Sequence, residues 1–138
     1  MSALVLDASA ALDWCFVEER TPASQALLDR VAQSGAVVPP VWHLEVGQIL
    51  LAAERRARAS IAQVADAIGS LARLPIATDQ ADAAQRARDS LSLARQHRLT
   101  VFAACYLDLA LRRALPLATR DDALQRAARE AGIELIPL

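Results

Sequence analysis

The stretch LVLDASAAL, residues 4–12, decides the reading of the fold. Its apolar run, Ala3 to Leu6, reads as a buried strand, and Ala8 to Phe16 reads as a helix, with the carboxylate of Asp7 at the junction. Working outward, short apolar runs keep alternating with longer helical periodicity. Thr21 begins a helix through about Gln33, with Pro22 in its first turn, and Gly35 ends it before a strand at Ala36 to Val38. Pro39 and Pro40 precede a long helix from Val41 to about Arg58, and Ser60 caps another to about Arg73. Residues 55–60, RRARAS, read as the turn of that helical hairpin. Pro75 to Ala77 is a strand, and Thr78 or Asp79 caps a helix to about His97. Thr100 opens a helix to Arg113, Leu117 and Ala118 form a strand, and Asp121 begins a helix that Gly132 closes. Glu134 to Ile136 is expected as the last strand. This alternation predicts an α/β protein, a doubly wound parallel sheet of about five short strands flanked by helices.

Bulk properties narrow the class. At 138 residues, with 54% hydrophobic and 22% charged residues, the chain is expected to be a single domain with a substantial core. A net charge of −1 advertises no global field for nucleic acid. All 15 cationic residues are Arg, a side chain suited to bidentate phosphate contacts, although a GC-rich genome yields the same usage. Arg98, Arg112, Arg113 and Arg120 are read as solvated surface charge, with phosphate contact the sharper alternative. Cys15 and Cys105 sit in apolar helical runs and read as buried free thiols. No signal peptide opens the chain and no apolar run approaches a span of about 20 residues, so the expectation is a cytoplasmic protein with no membrane association. No glycine-rich phosphate loop occurs, which counts against nucleotide binding.

Three acids stand where a strand meets a helix or one turn into a helix: Asp7, Glu45 and Asp121. In open parallel sheets ligands bind beyond the carboxyl ends of the strands, and all three acids can reach that rim. Converging carboxylates repel unless a cation or a proton neutralises them, and hard oxygen donors favour Mg²⁺ or Mn²⁺. Metal-assisted phosphodiester hydrolysis fits such a site. Each acid also has a plainer reading. Asp7 suits an N-cap, and Asp121 and Asp122 suit a helix N-terminus through capping and dipole. Glu45 lies in a strongly apolar helix, where a salt bridge to an Arg is the alternative to a metal. His43 and His97 read as hydrogen-bonded or packed, Trp14 and Trp42 as core or interface, and Asp13 and Asp108 as pointing away from the rim. A fourth segment, LTVFAACYLDLA (99–110), has the context of an acid-bearing one but offers Ala103.

These segments resemble the PIN-domain family, and within it the VapC-like toxin ribonucleases. The resemblance rests on DASAAL, PPVWHLEVGQIL, LPIATD, LARQHRLTVFAACYLDLA, LPLATRDDAL and GIELIPL, in that order and spacing, and covers essentially residues 1–138. It implies a Mg²⁺- or Mn²⁺-dependent endoribonuclease toxin of a type II toxin–antitoxin pair. It also implies a homodimer and a cognate antitoxin protein, with DNA reached only through that antitoxin. By position the family's first, second and last acids are Asp7, Glu45 and Asp121, and Thr119 matches a hydroxyl that commonly supports the site. The departure is Ala103, which stands where the family places its remaining ligand acid. Three readings stay open at that gap. The chain works with three acids, it binds an antitoxin without cutting, or Ala103 is an inactivating replacement. The second of these makes the chain a non-catalytic module whose apolar helices, residues 21–33 and 41–73, take an antitoxin helix.

Overall fold

The computed structural model describes residues 3–138. Four short strands build one parallel sheet: β1 (Leu4–Leu6), β2 (Ala36–Val38), β3 (Ile76–Thr78) and β4 (Leu117–Ala118), in the spatial order β3-β2-β1-β4. Seven α-helices connect them: α1 (Ala8–Ala11), α2 (Pro22–Ser34), α3 (Val41–Arg55), α4 (Ile61–Ala72), α5 (Ala83–His97), α6 (Val101–Arg113) and α7 (Asp122–Glu130). Leu4, Val5 and Leu6 are wholly buried because helices cover both faces of the sheet, as a parallel sheet requires. Val5 pairs with Val37 on one side and Leu117 on the other, so β1 is the central register strand. The chain winds outward from β1 to β3 and then returns to the far side of β1 to add β4. That reversal makes the β1–β4 gap the topological switch point, where an α/β sheet opens a crevice at its carboxyl edge.

The expected fifth strand is reduced to one bridge, Leu135 to Leu117. Glu134 O accepts from Leu117 N at 2.9 Å and Ile136 N donates to Leu117 O at 2.9 Å. The ladder goes no further: Thr119 O, the next acceptor along that edge, accepts from Gln125 Nε2 at 2.8 Å. Three other boundaries differ from expectation. The helix after Asp7 leaves α geometry at Leu12 for a 3₁₀ turn, Leu12–Trp14. α3 ends at Arg55, and the hairpin turn that follows holds Ala57 at φ 57°. α5 is capped by Asp82, whose carboxylate accepts from Ala84 N at 3.0 Å, and neither Thr78 nor Asp79 caps it. Asp79 is instead engaged by Arg112 and Arg113, which draws the chain away from a helix start at that point.

The capping signals at Thr21, Ser60 and Thr100 operate as read. Thr21 and Ser60 form reciprocal capping boxes with Ser24 and Gln63, and Thr100 accepts from Ala103 N at 3.1 Å. Gly35 closes α2 at φ 83° and ψ 169°, a backbone region open essentially to glycine alone. A Cβ there would stand 3.2 Å from the carbonyl oxygen of Pro75. Gly35→Ala is therefore expected to cost about 1–3 kcal/mol of stability, read as a lower urea midpoint with an unchanged m-value. An unchanged midpoint would mean that the loop relaxes freely.

Trp14 and Trp42 are core residues, and Trp14 Nε1 donates to Ser24 O at 2.9 Å. Cys15 and Cys105 are free but half-buried rather than fully buried. Burial pushes the Cys15 thiol up to about 11. No helix among the described residues is long and apolar enough to cross a membrane.

Candidate metal centre at the switch point

Asp7 directly follows β1 and is 8% exposed, and its N–H donates to Ala118 O of β4 at 3.0 Å. It occupies the N-cap position of α1 but makes no capping hydrogen bond. Its Oδ2 accepts instead from Thr119 Oγ1 at 2.6 Å and from Ser9 Oγ at 2.8 Å. Thr119 is buried at the exit of β4, and Ser9 Oγ also accepts from Arg120 N at 2.9 Å, which ties α1 to the β4–α7 turn. Asp121 follows on that turn. It caps α7 through Oδ1, which accepts from Ala123 N at 2.9 Å and Leu124 N at 3.2 Å. The capping reading of Asp121 is thus correct, and it leaves Oδ2 outside the described hydrogen bonds.

Glu45 enters from α3. Among the described residues no Arg pairs with it; Tyr106 of α6 donates its hydroxyl to Glu45 Oε1 at 2.5 Å. A buried tyrosine hydroxyl and a half-buried carboxylate satisfy each other here. The charges act across the group. Burial raises the Asp7 carboxyl above its ordinary range, the hydroxyls of Thr119 and Ser9 pull it back, and Asp121 adds to the rise. Burial also raises Glu45, Tyr106 opposes, and Asp7 adds to it. Burial pushes the Cys105 thiol up to about 12, with Glu45, Asp7 and Asp108 contributing. Asp7 is therefore coupled to Asp121 on one side and to Glu45 on the other.

The donor chemistry suits a hard divalent cation: three carboxylates, each with one oxygen outside the hydrogen bonds just described. The number of donors is short. Among the described residues no group of three or more His, Cys, Asp and Glu side chains stands close enough together to hold an ion. Ala103 lies in the first turn of α6, three residues before Tyr106 and so on the same helical side, and brings no oxygen.

The remaining polar candidates are engaged elsewhere. Asp13 pairs with Arg120, and Asp108 pairs with Arg86 and Arg112. His43 Nε2 lies 2.8 Å from Thr78 Oγ1, and His97 Nδ1 lies 3.2 Å from Glu130. Arg112, Arg113 and Arg120 are exposed, as read, and each also pairs with a nearly buried carboxylate. Ser9 and Tyr106 are supporting residues that the sequence reading missed. Ser9 stands two residues after Asp7, a spacing that could have flagged it, whereas nothing in the order of residues links Tyr106 to Glu45, 61 positions away.

Asp7 supplies a stability test of this site. A carboxyl raised by folding binds more proton in the folded than in the unfolded state between its ordinary and its folded pKa. Stability therefore falls as pH rises through that window. Asp7→Asn keeps an acceptor for both hydroxyls and removes the charge. It is expected to raise the melting temperature at neutral pH, with the gain vanishing below the ordinary carboxylate range. Calorimetric melts across pH check this, and a lower melting temperature at neutral pH would contradict it.

A four-stranded parallel sheet flanked by helices, with Asp7 following β1 and Asp121 following its neighbour β4, defines the α/β class of the chain. The PIN domain profile matches residues 4–130, and the chain belongs to the PIN-domain family, whose members are generally nucleases that use divalent metals. Three solved structures share the fold. PAE2754 from Pyrobaculum aerophilum aligns over 91% of this chain and 79% of its own, at 20% identity and a TM-score of 0.69. A toxin–antitoxin complex from Klebsiella pneumoniae aligns over 86% and 87%, at 15% identity and a TM-score of 0.60. FitAcB from Neisseria gonorrhoeae aligns over 97% and 96%, at 15% identity and a TM-score of 0.59. No curated protein matches the chain.

Proposed function

We propose that this chain, a single PIN domain over residues 1–138, is the toxin of a type II toxin–antitoxin pair. Its activity is metal-dependent endoribonucleolytic hydrolysis. The observation that supports the reading is Asp7 at the exit of β1, held by Thr119 and Ser9 and coupled electrostatically to Asp121 and to Glu45. Asp7, Glu45 and Asp121 would hold Mg²⁺ or Mn²⁺. The ion would supply an acidified water and neutralisation of phosphate charge. Thr119 and Ser9 keep one oxygen of Asp7 fixed, and the backbone amides of α7 do the same for Asp121. Membership of a family of nucleases supports the reaction class, and likeness to a protein from a toxin–antitoxin complex supports the setting. RNA substrate, homodimer and cytoplasmic location belong to the same proposal.

An antitoxin partner suits the outer surface of α4. Ile61 is 75% exposed and Ile68 50% exposed, and with Val64 they recur at i, i+3 and i+7. A groove of about 570 Å³ runs beside them, lined by Phe16, Leu28, Arg58, Val64, Ala67 and Leu74 among others. An amphipathic helix recognises such a stripe and groove. DNA would then be reached only through that partner.

A second reading, a non-catalytic PIN module that binds an antitoxin, is favoured specifically by Ala103 and by the shortage of gathered donors. Calorimetric titration of Mn²⁺ beside a cleavage assay on total cellular RNA separates the two. Binding and cleavage by the chain as it stands, both lost in Glu45→Gln, support the enzyme. Inertness of both this chain and Ala103→Asp, with the antitoxin still bound, supports the module.

A further inference from the structure

We infer that the cleft between α3 and α4 is a binding site for a compact, uncharged molecule with an apolar body and a carbonyl oxygen. The cleft holds about 370 Å³, and Trp42 and Gly47 of α3, Ile68 and Leu71 of α4 and Ile76 of β3 help to wall it. Small-molecule sites typically span about 300–1,000 Å³, with mostly apolar walls and a few placed polar groups. Asp7, Glu45 and Asp121 do not line the cleft, so its role is independent of what the strand-end acids do.

Two features that the chain's own packing leaves unexplained meet in this wall. Trp42 is 4% exposed, and its indole Nε1 is a buried donor with no acceptor among the described residues. An indole nitrogen can only donate, and leaving it unmet away from water is costly. The other tryptophan, Trp14, has its acceptor in Ser24 O. Gly47 stands in the middle of α3, where glycine weakens a helix relative to alanine. A Cβ added there would meet no heavy atom within 4 Å, so no neighbouring helix requires the glycine. What Gly47 preserves is open space in the cleft. His43 is already engaged: its Nε2 lies 2.8 Å from Thr78 Oγ1, and its ring meets Trp42 edge to face with centroids 5.0 Å apart. No Asp, Glu or Arg among the described residues lines the cleft, so a charged ligand would lose its water without gaining a counter-charge. The walls therefore select an apolar body against Ile68, Leu71 and Ile76, and an acceptor oxygen for Trp42.

Acetophenone, a flat neutral ketone, is the probe. The ¹⁵N-labelled chain has two indole N–H resonances, and the one lost in Trp42→Phe belongs to Trp42. Acetophenone is expected to move the Trp42 resonance downfield and saturably, with a dissociation constant of about 1 mM or tighter. The Trp14 resonance, already bonded to Ser24 O, is expected to stay in place. Gly47→Leu is expected to fill the cleft and abolish the response below about 10 mM, while Leu, a strong helix former, keeps α3 intact. Should Gly47→Leu fail to fold, Ile68→Trp, which narrows the cleft from a half-exposed position on α4, takes its place. No saturation below about 10 mM, saturation without a downfield shift of Trp42, or an undiminished response in the filled variant each overturns the inference. If a second copy of the chain covers the cleft instead, the filled variant changes the sedimentation of the free protein and acetophenone fails to bind, which overturns it as well.

Discussion

Ala103→Asp is expected to raise Mn²⁺ affinity by at least about tenfold and to bring RNA cleavage with it. Ala103 is the third residue of α6 and its N–H is already satisfied by Thr100, so the backbone is set for a side chain at this position. Tyr106, one turn further on the same side of the helix, reaches Glu45, so a carboxylate at 103 enters the neighbourhood of the same acids. The first turn of a helix also favours a negative charge through the exposed amides and the macrodipole. Residue 103 is half-buried, beside the strongly exposed Phe102. The added acid without metal should lower stability by repulsion with Asp7 and Glu45, and Mn²⁺ should restore it. Calorimetric titration and metal-dependent melts read both effects. Equal, metal-independent melts for the two proteins would mean that position 103 does not face the centre.

Arg112→Met is expected to cost about 3 kcal/mol at neutral pH. Arg112 joins two nearly buried carboxylates, Nη2 to Asp79 Oδ2 at 2.6 Å and Nε to Asp108 Oδ2 at 3.1 Å. Arg86 and Arg113 complete the network, so β3, α5 and α6 are pinned together at this point. Met keeps much of the stem's apolar contact and removes the charge, leaving Asp79 and Asp108 with one partner each. Burial opposes ionisation of Asp79, but the hydrogen bonds of Arg112 and Arg113 outweigh it and hold the carboxyl below its ordinary range. A depressed carboxyl contributes stability that is present above its unfolded pKa and is lost as pH falls through the folded one. The deficit of Arg112→Met should therefore shrink on acidification. Urea midpoints at neutral and acid pH measure this. A loss below about 1 kcal/mol at neutral pH would place the network among exposed ion pairs.

Most element positions follow from local chemistry and are visible in the residue order. Thr21, Ser60 and Thr100 cap the helices that follow them because a hydroxyl can reach an amide three residues on in any context. The strands at Leu4–Leu6, Ala36–Val38 and Leu117–Ala118 are short apolar runs, every residue of them buried. The misplaced features depended on partners distant in sequence. Asp79 has the composition of a cap, and two arginines of α6 claim it. The last strand has strand-like residues, but the sheet offers it only Leu117.

The same division runs through the site. Covalent order alone sets which acids exist, that Asp7 and Asp121 follow strands, and that residue 103 brings no carboxylate. Folding in three dimensions is what brings Thr119 and Ser9 onto Asp7, Tyr106 onto Glu45, and arginines onto Asp13, Asp79 and Asp108. Hydrogen bonds and ion pairs act over a few ångströms of space, and distance along the chain carries no record of which side chains the sheet brings within that reach.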